Sequence, residues 1–172
     1  MAIMEAIATQ YLEADVASVT FSGIPATYEH LQVRASSAAA GYSTGQAYYI
    51  ELNGDGSSVY ASQVIRGSTT SVALNALNST AYVKIYDGLH GVNTDVSEYA
   101  TIMVNILDYA NANKNTSIEF IGGQSITNTN RRIFFGGGVW DDTAALTSIE
   151  ITPDNGNMRR GSSFTLYGIK SS

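Results

Sequence analysis

The chain has 172 residues, enough for one domain with its own core. It holds 9 Lys and Arg against 15 Asp and Glu, a formal net charge of −6, and no cysteine. A nucleic-acid partner is not expected, because such binders carry basic stripes, and disulfides, thiolate metal sites and cysteine catalysis are excluded.

Short runs of strand-favouring residues recur between Gly, Asn, Asp and Ser clusters, the pattern of an all-β fold. Residues 7–11 alternate and read as a first strand; a helix over 2–12, with Ile3 and Ile7 on one face, is the competing reading. Residues 1–12 are therefore a first strand or an N-terminal arm, and 13–172 a single sandwich domain. Residues 16–21 follow, and Pro25 stops that ladder because it has no N–H to donate. Leu31, Val33 and Ala35 alternate with His30, Gln32 and Arg34, as in a strand with one wet face. Residues 36–45 read as a small-residue loop. Tyr48, Ile50 and Leu52 form the next strand face, ended by the turn Asn53-Gly54-Asp55-Gly56. Residues 59–65 are a weaker strand or a short helical turn, and 82–86 another strand before Gly88 and Gly91. In 99–107, Met103 and Leu107 are apolar as well as Ile102, Val104 and Ile106, which predicts a central strand covered on both sides. Residues 118–121, 133–135, 146–151 and 163–169 bring the total to about ten strands, with Pro153-Asp154-Asn155-Gly156 as a second tight turn. The expected fold is a jelly-roll-like antiparallel β-sandwich.

Candidate chemistry is sparse. Gly41-Tyr42-Ser43-Thr44-Gly45 matches Gly-x-Ser-x-Gly, but a nucleophile elbow lies between a strand and a helix. Here small residues precede it and a strand follows. His30 sits on a wet strand face and His90 in a Gly-bounded loop, so no Ser-His-Asp triad is indicated. Asp141-Asp142 and the Asn53–Asp55 turn invite a calcium reading, but neither has the spacing of a calcium loop. Trp140 with the 11 tyrosines invites a sugar platform, against a core or interface role. Gly136-Gly137-Gly138 lacks the Lys-Ser/Thr of a phosphate loop and reads as a flexible turn or a close backbone contact between subunits. No catalytic residue, metal or cofactor is expected.

One set of segments points further. Ile7-Ala8-Thr9-Gln10, Ser18-Val19-Thr20-Phe21-Ser22-Gly23-Ile24-Pro25 and Tyr28-Glu29-His30-Leu31-Gln32-Val33-Arg34 resemble the opening of small virion proteins of tailed bacteriophages. Asn53-Gly54-Asp55 with Tyr60, and Gly161-Ser162-Ser163-Phe164-Thr165-Leu166-Tyr167-Gly168-Ile169-Lys170, resemble later landmarks of that family in the same order. Residues 67–113 depart from the pattern. The resemblance implies a jelly-roll structural module, used as a capsid decoration (cement) protein or within tail fibres.

Only 14% of residues are charged, and Ser, Thr, Asn and Gly fill the gap. Such a surface suits packing inside an assembly, where interface centres are depleted of charge. The resulting expectation is a non-enzymatic decoration protein of the virion, assembled in the host cytoplasm. The resemblance implies as its partners the major capsid protein and copies of itself, as a trimer. The alternative is a tail-fibre or receptor-binding protein for host surface glycan. No export signal or membrane-spanning run is present in the sequence. Residues 1–10 are expected to anchor onto a neighbouring subunit, with Met1, Ile3, Met4 and Glu5 as contacts. Arg131, Arg132, Arg159 and Arg160, the only paired basic residues, are expected to bind an adjacent subunit or the shell, against a reading as solvated surface arginines.

Overall fold

A computed structural model describes residues 3–40, 46–92, 99–127 and 130–170; for 86–92, 125–127 and 130 it describes the backbone alone. The fold is all-β. The strands are β1 (Ile3–Tyr11), β2 (Val19–Ser22), β3 (His30–Ala40), β4 (Gln46–Leu52), β5 (Tyr60–Ser68), β6 (Val72–Thr80), β7 (Val83–Val92), β8 (Ala100–Leu107), β9 (Thr116–Thr127), β10 (Asn130–Trp140), β11 (Ser148–Pro153), β12 (Asn157–Met158) and β13 (Ser163–Lys170). Among the described residues thirteen strands replace the expected ten or so. The segments without a forecast are β6, whose apolar residues alternate with Ala and Asn, and the two-residue β12. No helix among the described residues is long and apolar enough to cross a membrane.

The strands form a sandwich of a nine-stranded and a four-stranded sheet. The larger runs β1-β13-β3-β8-β9-β10-β5-β6, with β12 paired to the far end of β3. The smaller runs β2-β11-β4-β7. Pairing is antiparallel, except where Ala38–Ala40 of β3 run parallel to His90–Val92 of β7 and join the two sheets. This corrects the loop reading of 36–40 and of His90. The small residues do not end the strand. Ala38 and Ala39 are wholly buried, and their short side chains let the two sheets meet.

Alternation fills the space between the sheets. Leu31, Val33 and Ala35 of β3, Ile102, Val104 and Ile106 of β8, Ile118 and Phe120 of β9 and Phe134 of β10 face Val19, Phe21, Tyr48, Ile50, Leu52, Val83, Ile85, Ile149 and Ile151 of the smaller sheet. β8 is central but covered on one face only: Met103 is half-buried and Leu107 exposed. The turn after β4 is not a hairpin. Asn53 and Gly54 take φ of 56° and 69°, and the Asp55 N–H donates to the Leu52 carbonyl at 3.0 Å, so the chain reverses tightly and passes into the other sheet.

The glycine run departs from its expected role, and the N-terminus takes the strand reading of its two. Gly136-Gly137-Gly138 is no turn; it lies inside β10, paired on both sides. Phe120 stands opposite Gly136, and Phe134 opposite Gly122. Each ring lies over the glycine across from it, so that a Cβ on Gly136 would meet the Phe120 ring at 2.7 Å and collide with the Gln63 carbonyl. The tight backbone contact is thus within the chain. At the other side of the sheet, residues 3–11 form the first strand and pair with the chain's own β13 from Ile3–Lys170 to Tyr11–Ser163. Tyr28 clamps that pairing: its ring lies against Gly168, its hydroxyl donates to Glu5 at 3.1 Å, and Lys170 Nζ sits 4.7 Å from the ring centre.

The glycine contacts generate a test. Gly136→Ala is expected to cost about 3 kcal/mol, because overpacking against backbone has no cheap relief. Gly137→Ala, where the nearest atom is the Ile118 carbonyl at 3.2 Å, is expected to cost less than about 1 kcal/mol. Urea unfolding of both variants measures the difference; equal costs would refute the ring-over-glycine account.

Candidate functional site

The outer face of the larger sheet is the most unusual surface of the molecule. On β10, Phe134, Gly136 and Trp140 point inward, so Ile133 and Phe135 point out. Register then sets their neighbours. Phe135 lies beside Ile65 of β5 and Ile121 of β9, and Ile65 lies beside Leu74 of β6. Ile133 lies beside Gly67, which lies beside Val72. Ile65, Val72, Leu74, Ile121, Ile133 and Phe135 expose between 39% and 78% of their surface. They make one apolar area across four adjacent strands, and single exposed apolar residues elsewhere carry no such meaning. At one end of these strands stands Arg131, at the other Glu119, both exposed and both on this face. Among the described residues β6 forms the margin and pairs only with β5, and it lies in a stretch, 67–83, that contains no charged residue.

The expected contact residues are dispersed by the fold. Ile3, Met4 and Glu5 lie on β1, at the opposite margin of the sheet from β6. Met4 Sδ accepts from Arg34 Nη2 at 3.7 Å; Met1 lies outside the described residues. Arg131 and Arg132 begin β10 on opposite faces: Arg131 is exposed, while Arg132 points inward and lines a cavity of about 140 Å³ with Arg66, Ser68 and Ser71. Arg159 and Arg160 follow β12, where the Arg159 N–H donates to the Ala38 carbonyl at 2.8 Å and the Arg160 N–H to Asp15 Oδ1 at 2.8 Å. The two pairs therefore do not form one basic surface. Of the four arginines, only Arg131 adjoins the apolar area.

The remaining candidates resolve into structural roles. Trp140 is buried; its indole N–H donates to Asp55 Oδ2 at 2.8 Å, and its ring stacks with Tyr60 at 6.3 Å. It offers no platform to a sugar. Tyr49 and Tyr82 stack on each other at 3.8 Å. Asp55 also accepts from the Ser57 hydroxyl and from the Ser57 N–H at 3.0 Å; the Ser57 hydroxyl foremost, then the Trp140 indole and the Ser57 N–H, hold its carboxyl below the ordinary range. Asp141 accepts from Asn115, 26 residues away, and Asp142 from the Ala144 N–H at 2.6 Å, so the first ties two segments together and the second closes a turn. Glu29, His30 and Asp108 approach one another closely enough for a metal. However, His30 Nδ1 already accepts the Asp108 N–H at 3.0 Å, and Lys114 hydrogen-bonds the Asp108 carboxylate and lowers its pKa. The cation position is thus served by a lysine. Residues 41–45, with Ser43, lie outside the described residues, as does the side chain of His90.

Comparison of the chain with profiles of known families, with curated proteins and with solved structures returns no match. The resemblance to virion proteins stands on the quoted motifs alone. The apolar area did leave a signal in the sequence: Ile133, Phe134 and Phe135, and likewise Phe120 and Ile121, are consecutive apolar residues, so at least one of each run must leave the core in a strand.

Tyr60 gives a test of the contact between β4 and β5. Its hydroxyl lies 3.0 Å from the Leu52 N–H, which donates to it, and donates in turn to the Leu52 carbonyl at 3.2 Å. Burial pushes this phenol from 10.0 up to about 12. The folded state keeps a proton that the unfolded state releases, so the associated stability is whole below pH 10.0 and is lost as pH rises towards about 12. Thermal melting followed between those limits should fall with pH, and Tyr60→Phe should fall less steeply. An equal slope in the variant would remove Tyr60 as the cause.

Proposed function

We propose that this chain is a structural protein of a tailed-phage particle, a capsid decoration protein acting by contact rather than by catalysis. The observation that carries this reading is the exposed apolar area of β6, β5, β10 and β9. A net charge of −6 keeps an isolated chain soluble, but nothing about solubility calls for six large apolar side chains on one outer face. They present on the order of 600 Å² between them, the upper end of what monomers leave exposed. At ~25 cal/mol/Å², covering that area is worth on the order of 15 kcal/mol before the cost of association, which is of comparable size. The face can hold an assembly together, though with little to spare. Association through several such contacts in a symmetric shell multiplies the effect.

Other features support the same reading. The motif resemblance spans both ends of the chain, and Asp55, Asp141, Asp142 and His30 each take part in a hydrogen bond within the chain. The glycan alternative has no comparable support, since Trp140 is in the core.

The test is biochemical. Particles of the phage whose genome encodes this chain are purified by density gradient and analysed by mass spectrometry and immunogold imaging. The chain is expected in many copies per particle, with label over the head. Its absence from the particles would overturn the reading, and label confined to the tail would overturn the decoration role.

A further inference from the structure

The apolar face also carries information about what covers it. We propose that its occupant is the same face of a second copy of this chain, packed sheet against sheet about a twofold axis that runs across the strands. This rests on the assembly reading above and names the partner of that surface.

Three observations lead there. The first is charge. Along the strand direction the face reads Glu119, then the apolar rows of Ile121, Phe135 and Ile133, then Arg131. Glu119 stands opposite Gly137, six residues along β10 from Arg131, or roughly 20 Å at a strand's rise. A twofold axis across the strands turns one copy end for end. It lays Glu119 of each copy towards Arg131 of the other, with apolar rows meeting between them. An axis along the strands would instead oppose Arg131 to Arg131. The face is thus complementary to itself in one orientation, as an isologous contact requires. The second is the uncharged margin at β6. Two copies of a chain with a net charge of −6 repel across most of their surface, but residues 67–83, which bring β6 and its turn to this contact, carry none. The third is size. The six side chains supply on the order of 600 Å², and Ala76, with the backbone at Gly67 and Gly123, carries the contact towards the ~800 Å² per partner of a standard interface.

The glycines contribute geometry. Gly67, Gly123 and Gly137 lie on the same outer face beside Ile133, Phe135 and Glu119. They leave depressions next to Ile133 and Phe135, into which the partner's side chains fit, as between the sheets of a sandwich. The contact closes as a pair. A trimer would need a different surface.

Sedimentation equilibrium on the full chain tests this. The wild type is expected to dimerise at or below about 100 μM, a weak but specific range. Phe135→Asp is expected to be monomeric at the same concentration with an unchanged circular dichroism spectrum. Arg131→Glu is expected to weaken dimerisation roughly fivefold, the scale of a rim ion pair, by placing Glu beside Glu119. The swap Arg131→Glu/Glu119→Arg is expected to recover the wild-type constant. A monomeric wild type, or a swap no tighter than Arg131→Glu alone, would overturn the proposal. A chain that is abundant in particles yet monomeric in solution would overturn this contact while leaving the structural role intact. A chain that dimerises as described but is missing from particles would do the reverse.

Discussion

The sandwich depends on how the chain leaves the smaller sheet after β4. The four residues Leu52–Asp55 reverse direction with two left-handed residues, and the Asn53 side chain then fixes what lies beside them. Its Oδ1 accepts from the Thr147 N–H at 2.7 Å, the Thr147 hydroxyl at 3.1 Å and the Ser148 N–H at 3.1 Å, while its Nδ2 donates to the Ala145 carbonyl at 3.0 Å. One side chain thereby starts β11 in register with β4. Two residues later, Asp55 takes the indole N–H of Trp140 at the end of β10. The turn ties the ends of four strands from both sheets. Asn is suited to it because it tolerates positive φ and offers both an acceptor and a donor.

Much of this was legible. Strict alternation at Leu31, Val33 and Ala35 and at Ile102, Val104 and Ile106 gave the inward faces of β3 and β8, and Asn53-Gly54 gave the turn. What remained hidden has physical causes. Residues 36–40 are too small to signal burial, although Ala38 and Ala39 are among the least exposed residues; their size serves close approach, which a hydrophobicity pattern does not register. Gly136-Gly137-Gly138 imitates a turn because the sequence does not display the rings of Phe120 or the partner strand that holds it extended. β6 escaped because neither of its faces is strongly apolar or strongly polar.

The candidate surface was harder to foresee than the fold. Arginine pairs attract attention in a chain with few cations, yet the fold sends Arg131 and Arg132 to opposite faces and spends the backbone of Arg159 and Arg160 on the β12 turn. A pair adjacent in sequence on a strand is a pair divided between two surfaces. The apolar area, by contrast, is assembled by register from two pairs of strands, β5–β6 and β9–β10, that lie far apart in sequence. None of its six residues is unusual alone.

The pairing of rings with glycines in β9 and β10 has one more consequence. Phe120 faces Gly136 and Phe134 faces Gly122, so large and small alternate in opposite senses on the two strands. Sliding one strand by two residues, the smallest shift that keeps inward side chains inward, brings Phe120 against Phe134 in one direction and Gly122 against Gly136 in the other. The first jams two rings into space for one, and the second leaves a hole. The hairpin is cut like a key: of the alignments that preserve its pleat, only one closes.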